Sequence, residues 1–292
     1  MAQKNEHYGQ SRASASRESK PQHATEYAQK SAQSSVALSD PWQHLKSYTR
    51  ARIALGRVGS SLPTKEVLDF GLSHAMARDA VHLALDVDAL ETHIRALGLD
   101  VLRVHSKAPD RPNYLIRPDW GRRLNDASSH QLMAQKSSQT VDFMIVVGDG
   151  LSSLAVERHV VPLIAEIQKI VPAAWHTGAV VIASQARVAL ADEVAELMGA
   201  RMVAMLIGER PGLSSPDSLG VYLTYNPKVG CSDADRNCIS NVRPEGLNYE
   251  AAAKKLVWLA KEAARLQVSG IALKDESDAV QIEVEAAPQL AQ

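Results

Sequence analysis

The sequence has few aromatic residues and no excess of either charge. Phe, Trp and Tyr together are 4% of the 292 residues, which favours helices packed on a buried sheet over an all-β sandwich. Lys and Arg number 32 against 33 for Asp and Glu, so the chain lacks the basic excess that binding to a phosphate backbone requires. These features predict an α/β fold and argue against nucleic acid as a partner.

Long hydrophobic runs and paired cysteines are also absent. No run approaches the ~20 apolar residues that span a bilayer, and no signal-peptide core follows Met1. Cys231 and Cys238 are the two cysteines, without a C-x-x-C pair or a clustered histidine, so a structural zinc site has little support. We therefore expect a soluble, cytoplasmic protein with no membrane partner.

Composition divides the chain into three parts. Residues 1–39 are rich in Ser, Gln, Ala and charge, which predicts a disordered tail, with an address or solubilising segment as the alternative. The sequence of residues 40–115 predicts a mainly helical subdomain, whose helices are followed by two short strand-like runs, "DVLRVHS" and "NYLIR". The sequence of residues 116–292 predicts the α/β domain.

Strand-like and helical patterns alternate from Val141 onward. The runs "VDFMIVV", "GAVVIAS" and "RMVAMLI" are continuously apolar, as strands covered on both faces are, and "GVYLTY" is a fourth candidate. Repeated β-α units predict a mostly parallel, Rossmann-like sheet flanked by helices. Ligands of such sheets bind beyond the carboxyl ends of the strands. Both "GDGLSS" and "GERPGLSS" follow strands, so we expect them at the same edge of the sheet.

The residues alone do not decide which chemical role these loops have. "GDGLSS" lacks the G-x-G-x-x-G and Walker A spacings, so a tight turn with a helix cap and a ligand contact are equally good interpretations. Glu209 and Arg210 could brace their loop as an internal pair, or Glu209 could accept a hydrogen bond from a polar ligand. "DADRNC" imitates a calcium loop but places Cys238 and Pro244 where glycine and glutamate are required. No G-x-S-x-G elbow is present.

Five segments together resemble a known family. "ARIALGR", "RPDWGRRL", "GDGLS", "IGERPGLSSPDSLGVYLTYNP" and "DADRNCISNVRPEG" are similar in order and spacing to the small subunit of ethanolamine ammonia-lyase, from about Asp40 to Leu273. The resemblance implies an adenosylcobalamin-dependent lyase that converts ethanolamine to acetaldehyde and ammonia by a radical mechanism. It also implies that this chain is active only with a barrel-shaped large subunit, which holds the substrate while the small subunit covers and orients the cobalamin at their interface.

The resemblance also implies three cofactor contacts and no catalytic residue or metal ligand. The contacts are Val188 in "SQARVAL", Glu209 in "GERPG" and Cys238 in "NCISN". No D-x-H-x-x-G motif is present, so we expect the cofactor to stay base-on, with its own dimethylbenzimidazole as the lower ligand of cobalt. Family enzymes also operate in bacterial microcompartments, which gives a further expected location. The rival hypothesis is a free-standing Rossmann-like oxidoreductase or transferase that binds a nucleotide.

Overall fold

The fold is a mixed six-stranded sheet with helices on both faces. The computed structural model describes residues 40–136 and 139–278, and the predicted tail at residues 1–39 lies outside them. The α-helices in this part of the chain are α1 (Thr64–His82), α2 (Val87–Ala96), α3 (Arg111–Ile116), α4 (Asp126–Ala134), α5 (Ser153–Ile170), α6 (Leu190–Met198) and α7 (Tyr249–Leu266). The strands are β1 (Val101–His105), β2 (Val141–Gly148), β3 (Val180–Ser184), β4 (Ala200–Gly208), β5 (Leu219–Tyr225) and β6 (Arg236–Val242).

The sheet has the strand order β1-β3-β2-β4-β5-β6. The pairings β1–β3, β3–β2 and β2–β4 are parallel, whereas β4–β5 and β5–β6 are antiparallel. The α/β prediction is confirmed, but the parallel arrangement holds only for the first four strands in this order. The reason is the connection after β4: residues 209–218 contain no helix, and a short connection can join only antiparallel neighbours.

Two apolar layers cover the sheet. On one face α5 and α7 pack against the strands, with buried residues such as Val156, Leu163 and Leu256. On the other face α4 and α6 bury Leu132, Leu190 and their neighbours. Burial on both sides explains why β2, β3 and β4 have continuous apolar sequences instead of an alternating pattern.

Local signals set the ends of several helices. Asp110, Ser152 and Asn248 precede α3, α5 and α7, and each side chain accepts a hydrogen bond from a backbone N–H of the first turn. Gly199 ends α6 in the left-handed conformation at φ 71°, as predicted. Helix α5 continues through Pro162.

The structure corrects one prediction and shows the conformation of the segment that imitates a calcium loop. The run "NYLIR", expected as a strand, is mostly helix α3, because Asp110 caps the helix and Pro112 occupies its first turn. The segment that imitates a calcium loop is instead a short 3-10 turn, Asp233–Asp235, which leads into β6. There Asp235 accepts hydrogen bonds from Ser232, and Asp233 pairs with Arg236.

The described residues form two compact units, with the boundary between Val67 and Leu68. The first contains a 3-10 turn at Gln43–Ser47 and a bridge between Val58 and Ser61. The second contains the whole sheet. The boundary near residue 115, expected from composition, stays a prediction. Within residues 40–136 and 139–278, none of the helices is long and apolar enough to cross a membrane.

Candidate functional site

A pocket of about 180 Å³ lies where the carboxyl ends of β2, β3 and β4 meet. Parallel strands present their carboxyl ends at one edge of the sheet, which is where ligands of such folds bind. The loops after these three strands supply most of the lining, and α3 and β5 supply one tyrosine each. The lining residues are Tyr114, Gly150, Leu151, Arg187, Val188, Ile207, Gly208, Glu209, Arg210 and Tyr222.

The two glycine-bearing loops are in direct contact. The Leu151 N–H donates to the Gly208 carbonyl oxygen at 2.9 Å, and the Ser152 hydroxyl donates to the Pro216 carbonyl oxygen at 2.8 Å. A Cβ on Gly208 would lie 2.0 Å from the Ser152 carbonyl oxygen, and one on Gly150, where φ is 59°, would lie 2.2 Å from the Gly208 carbonyl oxygen. The expectation that these loops share one edge of the sheet is confirmed, and only glycine fits at either position.

Asp149 uses its carboxylate to join the loop after β2 to the loop after β3. Its side chain is buried and accepts from the backbone N–H groups of Gly150 at 3.0 Å and of Gln185 and Ala186 at 2.9 Å. The guanidinium of Arg111 lies 3.5 Å away. Burial raises the pKa of Asp149, and the three N–H donors and Arg111 oppose that rise. The acid of "GDGLSS" therefore holds the pocket's loops in place and is not available to a ligand.

The loop at residues 209–218 is fixed to α5 by Asp217. Arg158 donates to the Asp217 carboxylate at 2.8 Å, and Nε2 of the buried His159 lies 3.7 Å from the same group. Desolvation lowers the pKa of His159, and the nearby Asp217 works against that change. The loop that carries Glu209 is thus held by charged contacts at its far end.

Glu209 lies in the pocket and is braced by hydroxyl and amide donors, not by an arginine. Its carboxylate accepts from the Ser218 hydroxyl, from the Ser240 hydroxyl at 2.6 Å and from the Asn241 N–H at 3.3 Å. The Glu209–Arg210 pair, one of the two alternatives that the sequence left open, is not among the ion pairs of the described residues. Because a carboxylate has about four acceptor positions, one position remains for a ligand donor.

Val188 and Cys238 occupy different places relative to the pocket. Val188 is half-buried and lines it. Cys238 is exposed on β6 and is the cross-strand partner of Tyr222, which lines the pocket. Partial desolvation raises the pKa of the Cys238 thiol, with the charge of Glu209 as a further cause and a hydrogen bond with Tyr222 acting against both. The structure thus places Val188 and Glu209 in the lining and Cys238 beside it.

Tyr114 and Arg187 are pocket residues that the sequence reasoning missed. Two guanidinium groups lie over the Tyr114 ring, that of Arg111 at 4.7 Å and that of Arg187 at 4.2 Å, and the Tyr114 hydroxyl donates to the Ala186 carbonyl oxygen at 3.1 Å. Burial raises the pKa of Tyr114. Arg187 directly precedes the predicted contact Val188 in "SQARVAL", so its position in the sequence could have indicated a pocket residue. No such indication existed for Tyr114, because its segment was expected to be a strand.

Comparison with known proteins identifies the family. The family model described as ethanolamine ammonia-lyase light chain (EutC) matches residues 39–274. A protein of Pseudomonas fluorescens (strain Pf0-1) named "Ethanolamine ammonia-lyase small subunit" is 54% identical over 250 residues, which cover 85% of this chain and 91% of the relative. A protein of the same name from Ralstonia nicotianae is 56% identical over 243 residues, 82% of this chain and 90% of the relative. The chain belongs to the ethanolamine ammonia-lyase small-subunit family.

Proposed function

We propose that this chain is the small subunit of an adenosylcobalamin-dependent ethanolamine ammonia-lyase. In this proposal it contacts the corrinoid through the pocket described above, while a large subunit holds ethanolamine. The observation that carries the proposal is the family match over residues 39–274, which includes every lining residue of the pocket. We further propose that the chain alone does not convert ethanolamine.

The chemistry of the pocket fits a corrinoid. A corrin is a broad, mostly apolar ring with carboxamide side chains at its rim, so a protein wall for it needs apolar contacts together with hydrogen-bond donors and acceptors. Val188 supplies apolar surface, Glu209 has one free acceptor position, and Arg187 and Arg210 supply donors. The backbone at Gly150 and Gly208 lets a bulky ligand approach without interference from a Cβ.

The size of the pocket supports a site shared with another chain. Ligand pockets usually have volumes of roughly 300–1,000 Å³, whereas this one has about 180 Å³. A corrinoid cannot be enclosed by it and can only lie against it. A second wall must then come from a partner, and the proposed large subunit fits that role.

The chain's own part in the reaction is binding and orientation. Adenosylcobalamin, when bound, supplies the radical chemistry of the rearrangement. Asp149 and Asp217 keep the pocket's loops in position, Glu209 accepts from a rim group of the ligand, and the arginines supply further hydrogen-bond donors. Because no D-x-H-x-x-G motif is present, we propose that the cofactor keeps its dimethylbenzimidazole on cobalt. Histidine-nitrogen hyperfine coupling in the electron paramagnetic resonance spectrum of labelled protein with cob(II)alamin would contradict this.

Two substitutions test the proposed contact. Val188→Asp places a charge against the apolar ring, and Glu209→Ala removes an acceptor, so both should weaken adenosylcobalamin binding to the complex of the two subunits by about tenfold or more. Assembly of the subunits should persist in both variants. Dissociation constants equal to that of the wild type, measured by titration of the visible spectrum, would contradict the assignment. Tight nucleotide binding by the chain alone would support the rival oxidoreductase or transferase.

The proposed location is the cytoplasm, with a bacterial microcompartment as a more specific compartment. The segment that would direct such encapsulation is the one before Asp40, which lies outside the described residues. Deleting residues 2–39 and locating the enzyme in fractionated cells tests this, and an unchanged location would remove the role of the segment.

A further inference from the structure

The pocket contains two arginines that have no carboxylate partner in the described part of the chain. Arg187 and Arg210 both line it, and neither forms an ion pair there. This is unusual beside the neighbouring cations, since Arg111 lies 3.5 Å from Asp149 and Arg158 lies 2.8 Å from Asp217. A guanidinium group held without a carboxylate is a ready partner for a ligand anion.

Arg187 is held in place but remains short of hydrogen-bond acceptors. Its guanidinium stacks on the Tyr114 ring at 4.2 Å, and its Nη2 donates to the Tyr114 carbonyl oxygen at 3.2 Å. Its Nε is buried without an acceptor among residues 40–136 and 139–278. An arginine has five N–H bonds, so most of its donor capacity is left for a ligand while its orientation is fixed.

The pocket also contains one negative group and one partial positive charge. The Glu209 carboxylate follows β4 beside Arg210 and accepts only from hydroxyl and amide donors among the described residues, so it keeps its negative charge and lowers the local positive potential. Gly150 and Leu151 line the pocket directly before α5, an 18-residue helix whose amino-terminal end adds a partial positive charge. Two guanidinium groups and a helix amino terminus therefore face one small volume together with the single carboxylate of Glu209, so the balance of charge there is positive.

We propose that Arg187 and Arg210 form an anion subsite that takes a phosphate group. This inference rests on the proposed function, because the phosphate is then the phosphodiester that joins the corrin to its nucleotide side chain. That phosphodiester is the anionic group of the cobalamin itself, whereas the rim carboxamides are neutral. The subsite orients the nucleotide side of the ligand toward this chain and distinguishes complete corrinoids from those without a nucleotide.

The test compares two ligands in the complex of this chain with its large subunit. Adenosylcobalamin has the phosphodiester, and adenosylcobinamide keeps the corrin ring but lacks the nucleotide and its phosphate. The variants are Arg187→Gln and Arg210→Gln, with Arg122→Gln as a matched control, because Arg122 is exposed and outside the pocket lining. Dissociation constants come from titration of the visible spectrum, and thermal unfolding midpoints report on the fold. Arg210 is exposed, so its variant keeps the test valid if Arg187→Gln destabilises the chain.

The outcomes of these titrations separate the phosphate subsite from the corrinoid function itself. We expect both pocket variants to weaken adenosylcobalamin by about tenfold and adenosylcobinamide by less than about twofold, with no change in the control. Equal losses for both ligands, or no loss for either, would overturn the phosphate subsite while leaving the corrinoid function standing. A wild-type complex that binds neither corrinoid would overturn both proposals. Binding of ADP to the wild-type chain that disappears in the pocket variants would reassign the subsite to a nucleotide phosphate and would overturn the corrinoid source.

Discussion

Replacing Asp149 with asparagine removes one of the two carboxylate oxygens that join the loop after β2 to the loop after β3. In the wild type, Oδ1 accepts from the N–H groups of Gly150 and Ala186, and Oδ2 accepts from the N–H of Gln185 and faces Arg111. An asparagine carbonyl can keep the first two hydrogen bonds. Its NH2 group then points at the Gln185 N–H and at Arg111, so donors face donors in a buried place.

The magnitude follows from these contacts. One buried backbone N–H loses its acceptor, which costs roughly 1–3 kcal/mol, and one half-buried guanidinium loses its carboxylate, which costs a similar amount. We therefore expect the free energy of unfolding of Asp149→Asn to fall by about 3–5 kcal/mol. The side-chain volume hardly changes, so the loss reports on hydrogen bonding and charge, not on packing.

Urea unfolding of the full chain, followed by tryptophan fluorescence, measures the loss. Asp126→Asn is the control, because Asp126 is an exposed residue in the first turn of α4 and its substitution should change stability by no more than about 0.5 kcal/mol. If Asp149→Asn changes the free energy of unfolding by less than about 1 kcal/mol, the carboxylate does not hold the loops as argued.

Three further predictions follow from the same region. Gly208→Ala should destabilise the chain by about 2 kcal/mol or more, because its Cβ meets a backbone oxygen at 2.0 Å; Gly71→Ala in α1, where a Cβ meets nothing within 4 Å, should be neutral or stabilising. Because the pKa of His159 is lowered in the folded chain, the unfolded chain binds a proton at this histidine at a higher pH than the folded chain does. The contribution of His159 to the free energy of unfolding is therefore complete above about pH 6.5 and decreases as the pH falls. His159→Gln should flatten the dependence of the unfolding midpoint between about pH 7.5 and about pH 5.5, and an unchanged profile would contradict the assignment. Glu209→Gln, which keeps an acceptor but loses the charge, should weaken corrinoid binding less than Glu209→Ala, and the reverse order in titrations would count against a hydrogen-bonding role.

The buried strands were predictable because their environment leaves a strong pattern. Continuous apolar runs in β2, β3 and β4 indicate burial on both faces, and the structure has both faces covered. The common edge of the two glycine loops followed from the direction of parallel strands. The antiparallel direction of β5 could also have been predicted, since residues 209–218 are too short a connection for a parallel crossover.

Other features depend on contacts that no local pattern reveals. Strand β6 buries Arg236, Ile239 and Val242, so its buried positions do not alternate. Its register with β5 also shifts between Leu219 and Val221, which hides the strand from a period-two search. Tyr114 reaches the pocket only because the helix α3 packs beside the loop after β3, a contact between residues 72 positions apart.

Co-elution tests whether this chain and a large subunit together bind a corrinoid. The chain is co-expressed with its large-subunit partner, adenosylcobalamin is added, and the visible spectrum is recorded across a size-exclusion profile. We expect corrinoid absorbance in the joint peak and not with either chain alone, and a weaker signal for Val188→Asp with the joint peak retained. Separate elution of the two chains without bound corrinoid would contradict it.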